Sequence, residues 1–177
     1  MALLSFLPKI NQTNVSIYYF SYTGNSKKIA EYLGKQFNIT PYEIKSFQFP
    51  YVMWLLTSFI PFFPVKSKWR KVEDDKQTLI LCFPKWTFNC APVTYFLIKC
   101  PCKNLIFVIT HKGWGISFYE KIYKFLCLTL RKHVKMFFIN IKQKKDLEKE
   151  LSEVFKSVIS EIEISEIEKR NYRVYSR

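Results

Sequence analysis

Two hydrophobic patterns alternate along the chain. Short runs at 15–20, 78–83, 105–110 and 134–141 are apolar at nearly every position, and between them lie longer stretches in which apolar residues return every three or four positions. Unbroken apolar runs of this length predict strands buried on both faces of a parallel sheet. The spaced pattern predicts helices. One runs over 26–37, with Ile29, Ala30, Leu33 and Phe37 on one face; another covers 92–99. A third covers 117–132 with Phe118, Ile122, Phe125, Leu126 and Leu130, and a last one starts near 144 with Leu147, Leu151, Val154, Phe155, Val158 and Ile162 and runs towards 168. A short strand is expected at 42–46. Five strand–helix alternations predict one α/β domain over 1–177, with a five-stranded parallel sheet between two helical layers. Order 2-1-3-4-5 is the common arrangement for such a sheet. It opens a ligand crevice at the carboxyl ends of the first and third strands.

One stretch breaks the alternation. Residues 47–65 stand where the second helix should be, are apolar nearly all round, and are interrupted by Pro50, Pro61 and Pro64. They are too short and too broken to cross a bilayer as a helix. The aromatic residues exceed what one helix face can bury, so 47–71, which ends in Lys66, Lys68, Arg70 and Lys71, reads as an apolar and basic insertion. Three roles are open to it: a lid over a ligand, a homodimer seam, or a docking patch for an anionic membrane surface through 51–65. Residues 1–14 read as an N-terminal extension and 169–177 as a basic tail that frays.

The first strand is followed at once by Ser21-Tyr22-Thr23-Gly24-Asn25-Ser26 and then by the first helix. A helix N-terminus offers unpaired N–H groups and the positive end of a dipole, which suits an anion. Ser21, Thr23 and Ser26 add hydroxyl donors, Gly24 permits a tight turn, and no acidic residue lies between Phe20 and Ala30. The turn lacks the Gly-Lys-Ser/Thr end of a triphosphate loop and the Gly-x-Gly-x-x-Gly dinucleotide pattern. It resembles the phosphate loop of flavodoxin-like proteins, in which Ser/Thr-x-Thr-Gly-Asn-Ser/Thr grips the phosphate of FMN.

That resemblance implies FMN as cofactor, with the flavin ring held by the loops after the third and fourth strands. Those loops read Pro84-Lys85-Trp86-Thr87-Phe88-Asn89 and Thr110-His111-Lys112-Gly113-Trp114-Gly115. A flat amphipathic ring needs flat apolar partners, and Trp86 and Trp114 supply them. Lys85 and Lys112 would favour the reduced, anionic flavin. The function implied is electron transfer between protein partners. An FMN-dependent NAD(P)H:quinone-type oxidoreductase and an interaction module without cofactor stand as alternatives.

Composition narrows the setting. A net charge of +14 points to an acidic redox protein as partner, of ferredoxin or reductase type, while the even spread of lysines and the lack of any nucleic-acid motif argue against nucleic acid. Five cysteines without framework spacing point to a reducing, cytoplasmic environment, peripheral to a membrane if the insertion docks there. Cys100-Pro101-Cys102 lacks the paired spacing of a zinc site and reads as free thiols. No catalytic residue or metal ligand stands out.

Overall fold

The computed structural model describes residues 15–72, 78–142 and 147–175, with side chains described up to Ile164. The expected extension at 1–14 lies outside the described residues. The elements follow in the order β1 (Val15–Tyr19), α1 (Asn25–Phe37), β2 (Tyr42–Glu43), β3 (Lys45–Ser46), α2 (Tyr51–Ser58), β4 (Ser67–Lys68), β5 (Thr78–Pro84), α3 (Ala91–Lys99), β6 (Asn104–His111), α4 (Ile116–Thr129), β7 (His133–Asn140) and α5 (Leu147–Tyr175).

Five strands form one parallel sheet in the order β2-β1-β5-β6-β7. This is the predicted 2-1-3-4-5 order. Register runs straight across the centre, Ile17 opposite Ile80 and Ile80 opposite Ile106. The central strands β5 and β6 are apolar through their middles because both faces are covered, whereas the edge strands carry exposed polar residues, Glu43 in β2 and His133 and Lys135 in β7. Tyr18, Leu81, Phe83, Phe107 and Ile109 pack with α3 and α4 on one side, whereas Ile17, Ile80, Cys82, Ile106 and Val108 pack with α1 and α5 on the other. The period-two alternation of strand side chains divides the two cores.

The region after α1 differs from expectation. Residues 42–46 do not form one strand. Tyr42 and Glu43 pair with β1, and then Ile44, fully buried, donates its N–H to the Tyr19 carbonyl at 2.7 Å. Beyond that anchor the chain leaves the sheet, and Lys45–Ser46 pairs antiparallel with Lys68 and Ser67 in a separate two-stranded ribbon. Between the ribbon strands, the insertion contains a helix after all. Pro50 occupies the N-cap of α2, a position at which its missing N–H costs nothing. Of the eight helical residues only Trp54 and Ser58 are buried. At the other end of the chain, α5 continues through Tyr175 where a frayed tail was expected from 169. No Gly or Pro interrupts it, and Glu148 and Glu150 in its first turn complement its dipole.

Candidate functional site

The sheet order puts the topological switch between β1 and β5, and a cleft of about 250 Å³ opens there, at the carboxyl ends of β1, β5 and β6. The loops around it are tied to the sheet by backbone bonds that prolong the ladder. Phe20 N donates to Cys82 O at 3.0 Å, Lys85 N to Thr110 O at 2.7 Å, and Ile141 N to His111 O at 3.0 Å. Of the sequence-predicted residues, Tyr22, Thr23, Asn25, Pro84, Lys85, Trp86, Thr87, Thr110, His111, Lys112 and Trp114 line this one space. Among the described residues, no Asp or Glu lines the cleft.

The first wall is the turn into α1. Gly24 is the N-cap residue at φ 84, a left-handed conformation that L side chains rarely adopt, and the space where a Cβ would stand is open. The first intrahelical donor is Lys28 N, bonded to Gly24 O at 3.0 Å, so the N–H groups of Asn25, Ser26 and Lys27 precede the helical ladder. No side chain caps them, and no acidic residue lies in the first turn. Asn25 Nδ2 donates to Thr23 Oγ1 at 3.0 Å, which shapes the turn from within. Ser26 sits behind the turn rather than in it: it is buried, and its hydroxyl shares a 3.0 Å hydrogen bond with Thr110 Oγ1, which ties α1 to the end of β6. Ser21 and Gly24 border the cleft without lining it.

The second wall follows β5. Trp86 packs edge-on against Phe20 (5.6 Å) and tilted against Trp54 (5.5 Å). Lys85 Nζ donates to Trp86 O at 3.2 Å and lies 4.2 Å from the centre of the Trp114 ring. This cation–π contact offsets part of the cost of half-burying the ammonium. Burial pushes its pKa below the ordinary lysine value. Phe88 and Asn89 turn away from the cleft: Phe88 packs between Phe59 and Phe118, and buried Asn89 donates to Phe63 O at 2.7 Å and accepts from the Thr94 hydroxyl.

The third wall follows β6. Gly113, at φ 108, turns the loop back so that its N–H donates to His111 Nδ1 at 3.0 Å. Nδ1 therefore accepts, and the proton of the neutral ring belongs on Nε2. Gly115 forms the N-cap of α4, and Trp114 between the two glycines is 64% exposed. His111 is buried. Burial lowers its pKa, Glu150 opposes this, and the Lys85 charge adds to it. A base whose folded pKa lies below its ordinary 6.5 binds fewer protons folded than unfolded. Its stabilising share is therefore present above 6.5 and is lost as pH falls through the depressed folded value. Urea unfolding between neutral pH and pH 5 is expected to show stability falling with pH, and His111→Gln is expected to flatten that fall. An unchanged pH dependence in the variant would mean that His111 is not held neutral.

Three lining residues had no place in the sequence reading of the loops: Tyr51 and Leu55 of α2, and Ile141 beyond β7. The lid reading of the insertion pointed towards the first two. Nothing in the sequence marks Ile141. The insertion is clamped onto the second wall by Trp54, 1% exposed, whose ring meets Phe20, Phe49 and Trp86, and by the 2.9 Å bond from Phe88 N to Ser58 O.

The cysteines take no part in the cleft. All five are buried thiols, and Cys90 is pushed up by burial. Cys100 and Cys102 lie at the opposite, amino-terminal edge of the sheet, where Lys132 Nζ donates to both of their carbonyls at 2.6 and 2.7 Å. A hydrogen bond from Cys102 pulls the Cys100 thiol down to about 7 despite its burial.

The sheet order, the two helical layers and the crevice at the switch point are those of the flavodoxin-like fold. The chain belongs to the same family as an uncharacterised protein of Archaeoglobus fulgidus, to which it is 41% identical over 115 residues, 64% of this chain and 76% of that one. No protein-family model matches it. Among solved structures it is similar in fold to a flavoprotein of Lactobacillus acidophilus in complex with FMN, with a TM-score of 0.58 at 13% identity, over 76% of this chain and 98% of that one. It is also similar to a Bacteroides eggerthii protein assigned as a flavoprotein, with a TM-score of 0.58 at 19% identity, over 78% of this chain and 96% of that one. A Bacteroides uniformis protein assigned in the same way has a TM-score of 0.59 at 16% identity, over 77% and 96%.

Proposed function

We propose that this protein binds FMN in the cleft and passes electrons between protein partners. The observation that carries the reading is the convergence, in one cleft lined by no carboxylate among the described residues, of an uncapped helix N-terminus with two indoles and a lysine. The residues present fit the cofactor. Thr23, Asn25 and the leading N–H groups of α1 would hold the phosphate, and Trp86, Trp114 and the post-β6 loop would hold the ring. Bound flavin would supply electron transfer. The chain supplies the seat, the orientation and the charge. A cleft of about 250 Å³ lies just under the range of pockets that enclose a small ligand, so part of the ring would stay at the surface. An exposed ring edge suits exchange with a docked partner, and a net charge of +14 favours an acidic one.

Lys85 gives the test of the redox reading. A cation about 6 Å from the reduced ring at an effective dielectric near 20 is worth about 3 kcal/mol to the anionic form. Lys85→Gln is therefore expected to lower the two-electron midpoint potential of bound FMN by roughly 30–60 mV. An unchanged potential would remove Lys85 from the ring site. A second reading, a flavin enzyme reducing a lipophilic acceptor, is favoured by the exposed apolar side chains of α2 beside the cleft. Steady-state NAD(P)H oxidation with a quinone separates the two: turnover supports the enzyme, and its absence with a reducible flavin supports the carrier.

A further inference from the structure

The cleft opens beside an aromatic face that the chain itself leaves uncovered. On α2 and the turn after it, Val52, Met53, Leu56, Phe59, Ile60 and Phe63 are all more than 40% exposed. The face continues onto α4, where Phe118, Lys121, Phe125 and Leu128 recur at helical spacing along its outer side, each exposed. Ring contacts join the two parts: Phe59 to Phe88 to Phe118, and Phe62 to Phe125. The turn is held in place, with Phe62 at a left-handed φ of 62 and the Phe63 carbonyl bonded to the buried Asn89 amide. The face is thus a built surface. It reaches the cleft mouth through Tyr51, whose ring lies 5.8 Å from that of Tyr22.

Charge decides what covers it. No Asp or Glu occurs within the apolar stretch from Ile44 to Val72, and Lys66, Lys68, Arg70 and Lys71 follow the turn in sequence before the acidic run Glu73-Asp74-Asp75. On α4 the exposed face carries Lys121, and the one carboxylate of that helix, Glu120, is paired with Lys124 at 2.6 Å. Eight of the fourteen carboxylates fall between Asp146 and Glu168, in and just before α5, whose core contacts lie on the opposite side of the sheet from α3 and α4. Two copies meeting through this face would bring their basic borders together. An anionic lipid surface would meet the aromatics with its acyl boundary and the lysines with its headgroups. Among the described residues no helix is long and apolar enough to cross a membrane, so such contact would be one-sided.

We propose that α2, the turn at 59–63 and the outer face of α4 dock this protein onto an anionic membrane surface, with the cleft mouth at the level of the headgroups. The inference does not depend on the cofactor. The test is co-sedimentation of the full chain with phosphatidylcholine vesicles with and without phosphatidylglycerol, alongside a Leu56→Ser, Phe59→Ser, Phe63→Ser variant and a separate Lys121→Glu variant. The expected result is retention on the phosphatidylglycerol vesicles only, lost in high salt, and weakened about tenfold or more in the triple variant while its circular dichroism is unchanged. Lys121→Glu should weaken it by a smaller factor. No retention on anionic vesicles would overturn the proposal, as would equal retention by the folded triple variant. A concentration-dependent dimer that the triple variant abolishes would overturn it too, and would assign the face to a second copy of this chain.

Discussion

Trp54→Ala is expected to destabilise the protein by about 3–5 kcal/mol, the usual range for removing a fully buried large aromatic side chain. Trp54 is the one large apolar side chain of α2 that is buried, and it lies among Phe20, Phe49 and Trp86 at ring separations of 6.0, 5.2 and 5.5 Å. The other apolar residues of that helix contribute little to burial, so no neighbour can take over its role. For a chain of this size the loss corresponds to a fall of roughly 10 °C in the unfolding midpoint. The effect should also reach the cleft, because Trp54 supports Trp86 from behind and sets the position of Tyr51 and Leu55. Thermal unfolding measures the first effect and flavin binding the second. A loss below about 1 kcal/mol would mean that α2 is a loosely held flap, not a wall.

Thr23→Asp should separate phosphate recognition from folding. Thr23 is exposed at the turn, and its Oγ1 accepts from Asn25 Nδ2. A carboxylate there faces the uncapped N-terminus of α1, where negative charge stabilises a helix by about 0.3–1 kcal/mol. The same carboxylate would repel a phosphate group, by about 4 kcal/mol at 4 Å and an effective dielectric of 20. The variant should therefore be as stable as the wild type or slightly more so, while its affinity for FMN falls by about 100-fold or more. Its affinity for riboflavin, which has no phosphate, should change little. Equal loss for both ligands would place the carboxylate against the ring instead of the phosphate.

The central strands were legible because burial on both faces leaves an unbroken apolar run, and β1, β5 and β6 each show one. The cleft followed from the same reading, since chain order plus the handedness of crossovers places the three loops at one sheet edge. The insertion was harder to read. Its helix is apolar on every side, so periodicity could not show that Trp54 turns inward while Val52, Met53 and Leu56 stay exposed. Nor could it show the break after Ile44, the last residue bonded to β1, beyond which Lys45 and Ser46 pair with Lys68 and Ser67 instead. Within the turn before α1, residue types named the hydroxyls but not their tasks. Ser26 and Thr110 hold each other, which leaves Thr23 and Asn25 facing the cleft.

The most direct measurement is a titration of the purified protein with FMN and, in parallel, with riboflavin, followed by flavin fluorescence and the visible spectrum. The expected result is one-to-one quenching by FMN at low micromolar concentration or below, with shifted flavin bands, and binding of riboflavin weaker by about tenfold or more. Absence of FMN binding at tens of micromolar, or equal affinity for the two flavins, would contradict a phosphate seat at the N-terminus of α1.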